Sequence, residues 1–72
     1  MNNVVGDKVY AKHDIIQGSI DGFPSFLLAK KGEELTIIVI DEIKTIWSIL
    51  VMNTLNEAFW VSEVEITYDK NQ

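Results

Sequence analysis

Apolar residues in this chain fall in short clusters, never in a sustained helical period, and each cluster is soon closed by a polar or glycine-containing stretch. The clusters are rich in β-branched and aromatic side chains, which lose rotamer freedom in a helix but pack well on a pleated surface. An all-β fold is the architecture that every cluster supports. At 72 residues the chain is shorter than the ~100–150 of a common domain, so one core is the ceiling. The whole of 1–72 is therefore read as a single domain, ordered over about 7–68. The sequence has no cysteine, hence no disulfide or thiolate–metal staple, and its 47% hydrophobic content must stabilise it by burial alone.

Lys8-Val9-Tyr10-Ala11-Lys12-His13-Asp14-Ile15 sets Val9, Ala11 and His13 against Lys8, Tyr10, Lys12 and Asp14, the alternation of a half-buried first strand. Residues 16–25 follow with two glycines and the only proline, Pro24, as a loop too long for a tight hairpin. Phe26-Leu27-Leu28-Ala29 leads into a polar reversal, Lys30-Lys31-Gly32-Glu33-Glu34, where Gly32 can supply a positive φ. Residues 35–40 form the strongest strand, apolar at nearly every position and expected to be covered on both faces for part of its length. After a polar break at 41–45 come a strand at 46–52 and a hairpin loop at 53–57, whose asparagines suit left-handed backbone. Ala58-Phe59-Trp60-Val61, one helical turn at 62–65 capped by Ser62, and a closing strand Ile66-Thr67-Tyr68 complete the chain.

The formal charge is −5, from six basic and eleven acidic residues, and all six basic residues are lysines. Without arginine forks a phosphate-binding surface is disfavoured, so nucleic acid is an unexpected partner. Met1-Asn2-Asn3-Val4-Val5-Gly6-Asp7 lacks the basic and apolar regions of a signal peptide, and no apolar run approaches the ~20 residues that span a bilayer. A cysteine-free domain of this size points to the cytoplasm, because secreted domains this small usually need disulfides. His13 is the single histidine, and its neighbour Asp14 belongs to the opposite face of a strand. No His/Cys ligand spacing, no calcium-loop word and no phosphate-cradling glycine pattern occurs. No enzyme activity, catalytic residue, cofactor or metal is expected.

The order of these segments resembles the SH3 fold, and in particular the small SH3-like proteins of low-GC bacteria and their phages, over about residues 7–68. Leu28-Ala29-Lys30-Lys31-Gly32-Glu33-Glu34-Leu35 looks like the diverging turn of that family. Val9-Tyr10-Ala11-Lys12-His13-Asp14 stands at its Ala-Leu-Tyr-Asp-Tyr stretch, residues 16–25 at the RT loop, and Ile46-Trp47 at its paired tryptophans. Phe59-Trp60-Val61-Ser62-Glu63-Val64-Glu65-Ile66 looks like the closing segment, with Val61 and Ile66 in core positions. The resemblance implies a five-stranded SH3-like barrel with a long RT-type loop and one short helical turn before the last strand. It also implies that polyproline recognition is not inherited. Ala11 and His13 stand where tyrosines are expected, Ser62 replaces the proline, and Glu65 replaces the last tyrosine, so the stacking ridge is incomplete.

Trp47 and Trp60 are the residues best suited to carry binding energy. Phe23 and Pro24 at the loop tip and Tyr10 on the first strand join them as candidate protein-binding residues. Strands 35–40 and 46–52 are apolar at too many positions for one wet face, so some of Ile38, Ile40, Trp47, Leu50 and Met52 are expected at the surface. Such a patch would be a homodimer seam or a docking face for another protein. The sequence reads as a non-enzymatic protein-interaction module of the kind a phage or prophage encodes as an accessory protein, with a partner of unknown identity. A nucleic-acid-associated small barrel is the alternative, and it requires Lys8, Lys12, Lys30, Lys31 and Lys44 to gather on one face.

Overall fold

The structure, a computed structural model, describes residues 3–17, 26–43 and 46–70. Its elements run β1 (Lys8–Ala11), β2 (Ile15–Gln17), β3 (Phe26–Ala29), β4 (Glu34–Ile40), β5 (Ile49–Met52), β6 (Ala58–Val61), a 3-10 turn (Glu63–Glu65) and β7 (Ile66–Thr67). The expected all-β class holds. The expected five-stranded barrel does not: seven strands form a five-stranded antiparallel sheet, ordered β6-β5-β4-β1-β7, and a separate β2-β3 hairpin, and the sheets do not close on each other.

The expected strand at 8–15 is interrupted and its second half pairs with Phe26–Ala29, which adds two strands to the count, and the strand expected at 46–52 is shortened. The alternation at 8–15 is continuous in sequence, yet the backbone around Ala11 is captured by distant partners. Ala11 N–H donates to Glu33 O at 3.0 Å, Gly32 N–H to Ala11 O at 2.7 Å, and Lys12 N–H to Glu65 O at 2.8 Å. The chain bends at residues 12 and 13, and β2 pairs with β3 instead of continuing alongside β4. At the other site the strand expected from residue 46 begins only at Ile49, because Trp47 takes φ 52°, a left-handed backbone that no strand accommodates.

Burial follows strand alternation. Val9, Leu35, Ile37, Val51 and Val61 are completely buried, and Ala11, Ile15, Ala29, Ile49, Phe59 and Ile66 complete the core. Each buried Val, Leu or Ile contributes roughly 1.5–3 kcal/mol against its exposed state. Both sheets supply this one core, with Leu28, Ile40 and Tyr68 packed at its margin. Cover on both faces of β4 is not found: Val39 is exposed and Ile38 half-buried. A register shift between Ile37 and Val39 inserts an extra residue against β5 and bends the strand.

The turns behave as their residues suggest. Gly32 sits at φ 85°, and the Glu33 carboxylate accepts the Lys30 N–H at 3.1 Å. Asn56 takes φ 64° in the β5–β6 loop. Glu65 Oε1 accepts the Ser62 N–H at 2.9 Å, the returning half of a capping box. No helix among the described residues is long and apolar enough to cross a membrane.

Candidate functional site

Where the β2-β3 hairpin approaches β6, the two sheets leave a cleft of ≈ 690 Å³, within the ~300–1,000 Å³ of ligand sites. Its floor is apolar, formed by Ile15, Leu28 and Phe59, and its rim carries Ile16, Ile46, Trp47 and Trp60. Trp47 is 58% exposed and Trp60 38%, while Phe59 beneath them is 8% exposed. The positive φ of Trp47 lies immediately before β5, so an unfavourable backbone conformation holds a large ring at the rim. Strain of this sort persists only where the surroundings impose it and concentrates at functional sites.

Two polar side chains line the cleft, Gln17 at the end of β2 and Glu65 at the end of the 3-10 turn. Glu65 is tied down three times. Its carboxylate accepts the Ser62 N–H, its own N–H donates to Ser62 O at 3.0 Å, and its carbonyl accepts the Lys12 N–H. It is the single charged side chain among the described lining residues. The cleft thus offers two indole surfaces, an apolar floor and one fixed carboxylate, which suits an apolar segment carrying a cation.

The expected binding residues are partly brought together. Trp47 and Trp60 share the cleft. Tyr10 does not line it: half-buried on β1, it pairs with Glu34 on one side and Thr67 on the other. Phe23 and Pro24 lie outside the described residues. Of the expected surface set only Trp47 is exposed, while Ile38, Ile40, Leu50 and Met52 are half-buried and Val39 is exposed in their place. Val39, Leu50 and Trp60 are register partners across β4, β5 and β6. Ile16, Gln17 and Leu28 were not singled out as binding residues from the sequence, and Glu65 only as a departure from the aromatic ridge. Each is an ordinary residue locally and gains its place only when distant strands meet.

His13 is exposed in the bend rather than half-buried in a strand. Its Nδ1 lies 2.8 Å from Asp14 O, and Asp14 Oδ1 accepts the Lys31 N–H at 2.9 Å. A smaller polar cleft of ≈ 270 Å³ beside Lys8 and Thr36 is internally satisfied, since Lys8 Nζ donates to Thr36 Oγ1 at 2.8 Å. Among the described residues no group of three or more His, Cys, Asp or Glu is placed to hold a metal ion. No protein-family model matches the chain, and no curated protein and no solved structure is significantly similar to it.

Proposed function

We propose that this chain is a non-enzymatic protein-interaction module that holds a segment of another protein in the cleft between β6 and the β2-β3 hairpin. Two exposed indoles, Trp47 and Trp60, facing one apolar cleft, carry this reading. Large aromatics at the rim of a desolvated pocket are the usual anchors of binding energy. The SH3-like reading of the fold belongs to the same proposal. It is supported by the diverging turn at residues 30–34, the 3-10 turn before the last strand, and the order of the elements. A phage or prophage accessory role rests on that resemblance. A cytoplasmic setting rests on the cysteine-free composition.

The nucleic-acid alternative fits the cleft less well. No lysine is among its described lining residues and its one charge is a carboxylate, which repels phosphate. A random short-peptide library displayed on phage tests the main reading. Selection on the wild-type protein is expected to enrich peptides that lose binding to Trp47→Ala. Enrichment of peptides indifferent to both Trp47→Ala and Trp60→Ala would refute the cleft as the docking site.

A further inference from the structure

Resting on that reading of the cleft, we propose that Asp14 is its positioning residue. A single hydrogen bond, from the Lys31 N–H to Asp14 Oδ1, sets the hairpin wall of the cleft against the sheet wall and thereby sets the affinity for the partner segment.

The two walls belong to different sheets. Ile15, Ile16, Gln17 and Leu28 come from the β2-β3 hairpin, whereas Ala58 and Phe59 come from β6. Among the described residues no ladder joins the hairpin to the five-stranded sheet, so the spacing of the walls is set where the chain passes from one sheet to the other. It passes twice, at residues 12–14 between β1 and β2 and at 30–33 between β3 and β4.

On the sheet side of this crossing the backbone itself binds the connectors, Gly32 N–H to Ala11 O and Ala11 N–H to Glu33 O. On the hairpin side the ladder resumes with Ile15 and Ala29. Between these limits one hydrogen bond crosses from 12–14 to 30–31 among the described residues: Asp14 Oδ1 accepts the Lys31 N–H at 2.9 Å. The neighbouring amides are engaged elsewhere, Lys30 N–H with the Glu33 carboxylate and Lys12 N–H with Glu65 O. An ionised acceptor makes the crossing bond stronger than a neutral one would be.

The base of the hairpin is anchored, but its reach is not. Ile15 and Ala29 are buried, whereas Ile16, Phe26 and Leu27 are exposed, and the register shifts between Ile15 and Ile16. Outside their own ladder, β2 and β3 make one hydrogen bond to the rest of the chain among the described residues, Asn53 Nδ2 to Leu28 O, and it is long at 3.4 Å. A small rotation at the base is therefore magnified at Ile16 and Gln17. Asp14 directly precedes Ile15, so holding its side chain holds the direction in which β2 leaves the crossing. Asp14 is exposed and does not line the cleft; it acts through Ile15. A site whose supporting groups are loose is competent for only a fraction of the time, and its apparent affinity falls by that fraction.

The donor side of the bond can be removed without losing the turn. Lys30 O accepts the Glu33 N–H at 2.9 Å, Gly32 has positive φ and Lys31 does not, which is a type II turn with Lys31 in its second position. Proline is favoured there. Lys31→Pro therefore deletes the N–H that Asp14 accepts and keeps the reversal.

The test measures the Kd of Trp47-dependent peptides from the display selection on Asp14→Ala, Asp14→Asn, Lys31→Pro and the Asp14→Ala/Lys31→Pro double variant. Asp14→Ala and Lys31→Pro are each expected to weaken binding about fivefold. The double variant should lose no more than either single one, because the same bond is removed from its two ends. Asp14→Asn keeps the acceptor oxygen and should bind as wild type does. The bond is exposed, so every thermal midpoint by circular dichroism should stay within about 5 °C of wild type; should one single variant unfold, the other still removes the bond. Both tryptophans of the chain line the cleft, so acrylamide quenching of the free protein reads the spacing of the walls: steeper in Asp14→Ala and Lys31→Pro, unchanged in Asp14→Asn. Wild-type binding by Asp14→Ala, additive losses in the double variant, or an Asp14→Asn as weak as Asp14→Ala overturns the positioning role while the interaction reading stands. Failure to select any Trp47-dependent peptide overturns the interaction reading, and quenching then decides the positioning role alone, wild-type quenching in both single variants refuting it.

Discussion

Tyr68 donates its phenolic O–H to Asp7 Oδ2 at 2.7 Å, although the two residues are 61 positions apart. The same carboxylate oxygen accepts the Val4 N–H at 3.1 Å, and Gly6 N–H donates to Ile37 O at 2.7 Å. The residue after the last strand thereby ties the segment before the first strand to the sheet. Burial, and then the Asp7 hydrogen bond and charge, push the Tyr68 phenol above its ordinary pKa.

Removing that hydroxyl is expected to cost about 1 kcal/mol in Tyr68→Phe, below the ~1.5–3 kcal/mol of a bond to a charged acceptor because the site is only part-buried. In a domain of this size the thermal midpoint should fall by about 4–8 °C. The pH dependence has a definite sign. A group whose folded pKa is raised contributes stability that is fully present below its unfolded value, about 10 for tyrosine, and is lost as pH rises through the folded value. Denaturant titrations of wild type and variant should therefore differ at neutral pH and converge in strong alkali. A gap that widens with alkalinity would contradict the bond.

Asn53 is the single buried polar residue among those described, and its side chain organises the β5–β6 turn. Its Oδ1 accepts the N–H groups of Leu55 at 2.9 Å and Glu57 at 3.0 Å, while its Nδ2 donates to Glu57 Oε1 at 2.9 Å. Asn53→Ala leaves two backbone donors without that acceptor and should cost about 1–3 kcal/mol by chemical denaturation. Asn53→Asp keeps the acceptor but sets a second carboxylate against Glu57, so its loss of stability should be largest at neutral pH and shrink in acid. Equal losses at pH 7 and pH 4 would show that charge repulsion plays no part.

Local chemistry made the turns legible and left the cleft hidden. Gly32, Asn56 and the Ser62–Glu65 turn act within a few residues of themselves, so their roles could be read from short words. Val61 and Ile66 were assigned to the core from the resemblance, and both are buried. The break after Ala11 had no such signal, because the groups that end β1 come from Gly32, Glu33 and Glu65. Trp47 misled for the opposite reason. Its residue type favours a strand, and only its surroundings hold it at positive φ. Glu65, placed by the resemblance where the ridge's last tyrosine stands, is the one charge among the described residues lining the cleft.

Leu35 and Leu55 give a direct test of the core. Leu35 is completely buried on β4 while Leu55 is 75% exposed in the β5–β6 loop. Leu35→Ala should cost about 2–5 kcal/mol, a large part of the ~4–11 kcal/mol expected of a chain this long at ~0.05–0.15 kcal/mol per residue. The variant should be partly unfolded near 37 °C by circular dichroism. Leu55→Ala should stay within about 0.5 kcal/mol of wild type. Similar losses at both positions would mean that the packing described is not the one in solution.

Trp47 sets stability against binding, and one substitution can separate them. A bulky residue at φ 52° holds a conformation that costs about 1–2 kcal/mol for an L side chain other than asparagine or glycine. The ring is 58% exposed, so little core packing is lost when it is removed. Trp47→Asn is therefore expected to keep or raise the thermal midpoint, by up to about 5 °C. The same variant should weaken any cleft-bound peptide by more than about tenfold, as loss of an aromatic anchor does. Asparagine tolerates left-handed backbone but presents no stacking surface, which makes it the cleaner choice over alanine. A variant that is less stable and still binds would show that Trp47 serves the fold rather than the partner.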